Sequence, residues 1–419
     1  MHGKNQRWPG PRRSFSFVLV TALAVSLSLS SGLQARANPY ASWEQLAGVP
    51  GPVMRIFTPT SGALFAQTDR GLFRSDDGGD SWRPVALPDG VLATTGSIVV
   101  EPRDHTTLYV VSAEGLLRTI DDGASWSVIR PRDADFSSIL AVAVSPADRD
   151  LLYLVESNGS TRTIRFVRSL DRGATWSVFE QDGHEHLWCD WKIGMLLPHP
   201  TDPNRLFRSA ACPHSGGPSA PLQQSQDRGD TWTILVDSGT VAPETVQNPL
   251  VVRTPVPTPV TTGRFAEPVP KPGQVSGFPD QLVGGQGAVP TRFYLGIWKD
   301  SRGGGSSLLR TDDDGRTWHL LLDYFGGGGM TPQDDPRPDV TIGGLAYDPA
   351  APDRVYVGFN EQVKGQASTT TVRASADAGA TWTDLGVGIH GRVRALALGI
   401  DGRNLYAATH LGLFRMRLT

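Results

Sequence analysis

One eight-residue pattern constrains this chain more than anything else in it. The pattern [ST]-x-D-x-G-x-[ST]-W occurs six times: SDDGGDSW from Ser75, TIDDGASW from Thr119, SLDRGATW from Ser169, SQDRGDTW from Ser225, TDDDGRTW from Thr311 and SADAGATW from Ser375. Five fixed positions recurring six times mark a repeat protein. Each copy has the chemistry of a tight β-turn. The carboxylates of Asp77, Asp121, Asp171, Asp227, Asp313 and Asp377 accept backbone N–H groups, as in an Asx-turn. Gly79, Gly123, Gly173, Gly229, Gly315 and Gly379 supply a positive φ. Trp82, Trp126, Trp176, Trp232, Trp318 and Trp382 start the next strand and bury their rings against neighbours. These acids are committed to their own turns, so the motif reads as a folding staple and not as a catalytic or metal site.

A second repeat lies upstream of the turns. It reads VEPRDHTTLYVVS before the second copy, VSPADRDLLYLVES before the third, LPHPTDPNRLFRSA before the fourth and YDPAAPDRVYVGFN before the sixth. Each is an apolar strand, a Pro/Asp turn and an alternating strand with Leu or Val followed by Tyr or Phe. A third strand, the motif and a fourth strand follow. Four antiparallel strands per repeat make a propeller blade. The C-terminus, VRALALGIDGRNLYAATHLGLFRMRL, holds three such strands without a fourth. Ser42–Leu46 looks like a fourth strand alone. Joining the two ends makes a seventh blade and removes the open sheet edge. The expectation is an all-β, seven-bladed propeller over 38–419. Six or eight blades stay open because the fifth repeat is irregular. Residues 238–291, with ten prolines, form a Pro-rich insertion read as extended. Leu250–Arg253 and Phe278–Val283 are both candidates for the innermost strand of that blade. The glycine runs Gly303–Gly305 and Gly326–Gly329 lack a P-loop lysine and read as connections.

Residues 1–37 stand outside this pattern. Lys4, Arg7, Arg12 and Arg13 precede an apolar, Ser-diluted run over 15–33, and Ala35-Arg36-Ala37 supplies a small-residue cleavage site. That is a secretory signal peptide cleaved after about Ala37. Arg12-Arg13-Ser14-Phe15 also resembles a twin-arginine signal. The mature chain is expected to be secreted or extracytoplasmic, with no membrane anchor. Removing five of the 39 Lys/Arg and none of the 42 Asp/Glu leaves a net charge of −8. A mildly acidic chain argues against nucleic acid as a partner. Two cysteines exclude a disulfide-built scaffold and a four-cysteine zinc site. No cofactor is expected, and the chain is expected to be a monomer.

The six turns resemble those of the BNR/Asp-box propellers, and the resemblance covers about residues 42–419. The family includes sialidases, xyloglucanase-type endoglucanases, sortilin-type receptors and photosystem II assembly factors. It implies the fold and says almost nothing about activity, because function on a propeller sits in grafted loops. A sialidase would need Phe/Tyr-Arg-Ile-Pro, and Met54-Arg55-Ile56-Phe57 keeps only Arg-Ile. Arg55 is therefore read as a strand residue. A xyloglucanase-type enzyme would have two facing propellers, where this chain has one.

The resemblance places binding loops on the face opposite the turns, near the central channel. Two of them stand out. One carries His184, Glu185, His186, Trp188, Cys189, Asp190 and Trp191, and the other carries Cys212 and His214. The first reading is a polar loop pinned by a Cys189–Cys212 disulfide. Cys189 begins the innermost strand of the fourth blade and Cys212 ends the second. A turn centred on Thr201 pairs residues whose numbers add to about 402, and the two cysteines add to 401. The second reading is glycan or ligand binding, with Trp188 and Trp191 as stacking platforms beside Glu185 and Asp190. The third is a metal on His184, His186 and His214, with cysteine or Asp190 as further ligands, a set whose spacing matches no standard zinc signature. Two function classes follow. One is an exported binding or assembly module for a glycan or protein ligand. The other is a glycoside hydrolase, which needs two loop-side carboxylates about 5–9.5 Å apart.

Overall fold

The computed structural model describes residues 42–89, 91, 98–161, 163–182, 192–211, 222–236, 278–299, 305–324, 339–362 and 368–418. Among them, twenty-eight strands form seven four-stranded antiparallel sheets. The first strands of neighbouring sheets touch one another and so line the axis. They are Val53–Phe57, Ile98–Val100, Ser138–Val144, Lys192–Pro198, Phe278–Gly284, Asp339–Tyr347 and Val393–Leu398. The protein is a seven-bladed β-propeller. Of the two candidate segments in the Pro-rich insertion, Phe278–Gly284 is the innermost strand of the fifth blade. Leu250–Arg253 and the rest of 237–277 lie outside the described residues.

The seventh blade is closed by both ends of the fold. Glu44 pairs with Arg415 and Gln45 with Phe414, and the Leu46 N–H donates to the Leu413 carbonyl at 2.9 Å. Trp43 anchors this strand by donating its indole N–H to the Leu385 carbonyl of the sixth blade, at 2.8 Å.

The apolar core lies between blades. Alternation along each strand sends one set of side chains to the preceding blade and the other to the following one. Phe65 and Leu72 of the first blade pack with Ile98 and Val110 of the second. Phe207 and Leu222 of the fourth pack with Leu282, Phe293 and Trp318 of the fifth. An aromatic near the start of the second strand is buried in every blade, after Leu or Val in six and after Phe293 in the fifth: Phe65, Tyr109, Tyr153, Phe207, Tyr294, Tyr356 and Tyr406.

The six turns share one hydrogen-bond pattern, seen clearly in the second copy. Asp121 Oδ1 accepts from the Thr119 hydroxyl at 2.6 Å and from the Ser125 N–H at 2.9 Å. Its Oδ2 accepts from the Ser125 hydroxyl at 2.6 Å. The Thr119 hydroxyl in turn accepts the Gly123 N–H at 3.0 Å. Gly123 has a φ of 90°, and a Cβ there would lie 2.7 Å from the Ala86 carbonyl of the preceding blade. The glycine therefore answers two needs, a left-handed backbone and room for the neighbour's outer strand. In five copies the residue before it is left-handed as well, although it carries a side chain: Asp122, Arg172, Arg228, Asp314 and Ala378, at φ of 58–62°. Its N–H donates to the hairpin between the first two strands of its own blade, as from Asp122 to Thr106 and from Arg172 to Asp150. The tryptophans stand one residue before the fourth strand, not inside it. Trp318 and Trp382 are buried, while the four earlier ones are part-exposed.

An arginine links each of several blades to the next. Arg118 donates to the Arg172 carbonyl at 2.7 Å, Arg168 to Arg228 at 3.0 Å and Arg310 to Ala378 at 2.6 Å. Arg415 donates to the Gly78 carbonyl at 2.9 Å, and Arg74 pairs with the Asp122 carboxylate at 2.9 Å. All five reach the fourth position of the next blade's turn, so the left-handed residue serves both its own hairpin and its neighbour.

Candidate ligand-binding face

Each strand order sends the turns to one end of the propeller. The loops entering the innermost strands and those between second and third strands go to the other end. The two loops richest in functional side chains leave from one place. Lys192 and Ala211, the last paired residues of the fourth blade's inner hairpin, are direct partners. The stem of 183–191 enters at the first and the stem of 212–221 leaves at the second. His184, Glu185, His186, Trp188, Cys189, Asp190, Trp191, Cys212 and His214 themselves lie outside the described residues.

The register of this hairpin differs from the expectation. Pairs near the turn add to 404, as in Leu197 with Phe207. A bulge between Ile193 and Met195 brings Lys192 and Ala211 to 403. The turn carries two residues more than a hairpin centred on Thr201 would, and the bulge takes one back.

Beside these stems the second, third and fourth blades build a floor of paired charges. Glu156, on the loop-side half of Leu152–Asn158, is 1% exposed. Arg130 grips it with two bonds, Nε to Oε1 at 2.9 Å and Nη2 to Oε2 at 3.0 Å. Arg165 donates Nε to the same carboxylate at 2.6 Å and Nη2 to Asp133 Oδ2 at 2.7 Å. The Arg165 guanidinium also lies over the Phe136 ring, 4.0 Å from its centroid. The loops Arg130–Phe136 and Glu156–Arg162 are thus drawn together. Further out, Arg208 of the fourth blade binds Glu180 of the third at 2.5 Å and lies over Trp232, 3.9 Å from the ring.

These pairs decide what the floor does chemically. A glycosidase acid must hold a proton near neutral pH, which requires a raised pKa. Asp133 is held down at about 2 by the Arg165 bond and by the N–H groups of Phe136 and Asp135. Glu156 accepts three hydrogen bonds from two guanidiniums, so its oxygens are taken up by an ion network. Among the described loop-side carboxyls, burial pushes up only Glu361, against the opposing charge of Arg373. No cluster of three or more metal-ligating side chains occurs among the described residues.

Sequence reasoning missed this network. Glu156 sits inside the run LYLVE at a position that alternation marks as buried, and a buried acid demands a partner. The partners, Arg130 and Arg165, are 26 and 9 residues away and carry no pattern of their own.

No family model matches the chain, and no curated protein is similar to it in sequence. Solved structures do match. The GH74 xyloglucanase from Xanthomonas campestris superposes with a TM-score of 0.58 at 16% identity, over 90% of this chain and 54% of that one. An oligogalacturonate lyase from Vibrio parahaemolyticus gives 0.55 at 8%, over 90% and 97%. A chain from B. thetaiotaomicron, described as the extracellular domain of a hybrid two-component system, gives 0.51 at 13%, over 90% and 40%. The likeness is one of fold. The chain spans about half the length of the xyloglucanase.

Proposed function

We propose that the chain is an exported propeller that binds a glycan or protein ligand on its loop face, over the third and fourth blades. The carrying observation is the pairing of Lys192 with Ala211, which brings the stems of the two most functionally loaded loops together. Those loops carry Trp188, Trp191, Glu185, Asp190 and three histidines, a composition suited to stacking on a sugar or an aromatic side chain. The arginine-locked floor of Glu156 and Asp133 favours binding over hydrolysis. Export rests on the signal-like residues 1–37 and accords with the extracellular description of one fold neighbour.

The test is a glycan array probed with the purified protein and with Trp188→Ala/Trp191→Ala. Binding by the wild type that the double variant loses supports the reading. Retained binding moves the site elsewhere. Release of reducing ends from xyloglucan or oligogalacturonate would replace binding with catalysis. Glu361 is then the carboxyl to substitute, because it alone of the described loop-side acids is raised by its surroundings.

A further inference from the structure

The chain has seven asparagines, and only Asn158 is followed two places on by a serine or threonine. Asn158-Gly159-Ser160 has a small residue, not proline, in the middle. That is the acceptor pattern for N-linked sugar, in which the asparagine amide nitrogen carries the glycan and the hydroxyl two residues on is required for transfer. Three residues alone are weak evidence, so their place in the fold has to carry the assignment.

The fold puts them at a tip. Asn158 and Thr163 are the last pair of the hairpin between the second and third strands of the third blade. Such hairpins reach the loop face. Gly159, Ser160 and Thr161 are exposed. A Cβ on Gly159 would meet no atom within 4 Å, so among the described residues nothing stands over the tip. The other asparagines of the described fold differ. Asn360 is 5% exposed, with both ends of its amide bonded to Val393. Asn204 and Asn404 have leucine and tyrosine where the hydroxyl would stand.

The side chain at the tip is held in one orientation. Asn158 Oδ1 accepts the Ser160 N–H at 2.9 Å and the Thr161 N–H at 3.0 Å, as in an Asx-turn. Both partners are donors, so the atom inside the turn is the oxygen, and the amide nitrogen stands on the outer side. That nitrogen and the Ser160 hydroxyl have no partner among the described residues. The turn uses only the Ser160 N–H, so removing the hydroxyl leaves it in place. Glu156, two residues inward, shares a face of the strand with Asn158. A sugar on Asn158 would therefore rise beside the floor formed by Arg130, Glu156 and Arg165.

We propose that Asn158 is a glycosylation site, taking its sugar from a lipid-diphosphate donor in the export compartment. Asn158 Nδ2 gives up one proton to a base of the transferase and bonds the anomeric carbon of the sugar. The bond from that carbon to the diphosphate oxygen breaks, and the lipid diphosphate leaves with the electron pair. The proposal rests on reading residues 1–37 as an export signal and is independent of the ligand. The test is the mass of the protein exported by cells carrying its own gene, intact and as peptides. A mature chain beginning near Asn38, heavier by whole sugar residues on the peptide that holds Asn158, is expected. Asn158→Gln and Ser160→Ala should both return to the bare mass, and Ser160→Thr should keep the sugar. Loss in Ser160→Ala is not a folding defect, because the turn does not use that hydroxyl. An exported chain of bare mature mass overturns the proposal and leaves the export reading standing. A bare chain that still carries residues 1–37 overturns both. A sugar that persists in Ser160→Ala, or that maps to another residue, overturns the assignment to Asn158.

Discussion

At the residue scale, glycine and histidine carry the sharpest expectations. Gly123 combines a φ of 90° with a Cβ position 2.7 Å from the Ala86 carbonyl. Gly123→Val meets both obstacles and should cost about 1–3 kcal/mol, read as a lower denaturation midpoint. A stable variant that loses ligand binding would contradict the structural role of the turn. The need for glycine was legible from the repeat, but the carbonyl pressing on it was not, because that atom belongs to the preceding blade. His199 was hidden inside the run PHPTDPN, which reads simply as a turn. It is 2% exposed, and its Nδ1 accepts the N–H groups of Thr201 at 3.2 Å and Asp202 at 3.1 Å. Ser145 and Asp348 accept turn N–H groups at the corresponding places in the third and sixth blades. Burial, helped by Arg205, lowers the His199 pKa below 6.5, so the ring is neutral in the fold. The unfolded chain takes up the proton first as pH falls. The contribution is therefore full above about pH 6.5 and is lost progressively as pH drops from there toward the lower folded value. His199→Asn keeps an acceptor that does not titrate. It should flatten the fall of the melting temperature between about pH 6.5 and 5. An unchanged slope would remove His199 as its source.

At the scale of elements, the fourth blade's inner hairpin shows how far a turn fixes a register. Its strands were placed correctly from alternation and from the Pro/Asp turn. The pairing drifted by one to two residues, because a bulge is invisible in a sequence that stays apolar across it. The same bulge recurs in other innermost strands, between Ile139 and Ala141, Ile342 and Gly344, and Val393 and Ala395. In the sixth blade it falls on Gly343, where a Cβ would lie 2.1 Å from the Val393 carbonyl of the seventh. Cys189 and Cys212 add to 401 against 403 for the last described pair, and both lie outside the described residues. We still expect them to be joined. Both follow from stems that begin at paired residues, and the stem residues between Lys192 and Cys189 number only two. A disulfide there closes a loop of about 22 residues and adds roughly 3 kcal/mol on chain-entropy grounds. Thiol titration of the denatured, unreduced protein should find no free thiol. Two free thiols with stoichiometric zinc would establish the metal reading in its place.

At the scale of the whole molecule, the propeller was legible because its code is repetitive and local. Six turns, a recurring strand with an aromatic after Leu or Val, an orphan fourth strand at one end and three strands lacking a fourth at the other gave seven blades. The loop face was less legible, since its pairings cross blades: Arg130 to Glu156, Arg208 to Glu180, Asn360 to Val393. No spacing in one blade announces the partner in the next. The same distinction governs stability. Each inter-blade core needs both of its blades, so a ring with one weakened blade loses support on two sides. Closure rests on few groups: the pairs Glu44–Arg415 and Gln45–Phe414, the Trp43 indole on Leu385 and the Leu46 side chain against the first blade. Leu46 also lies within 2.8 Å of where a Cβ on Gly79 would stand, so the closing strand seats the first turn as well. Deleting residues 38–47 should therefore expose the edge of Gly412–Arg417, unseat that turn and lower both the midpoint and the steepness of unfolding. Trp43→Ala in the intact chain should reproduce part of that loss, about 3–5 kcal/mol for a buried tryptophan. Superimposable denaturation curves for the deletion and the intact protein would show that the ring does not depend on its closing strand.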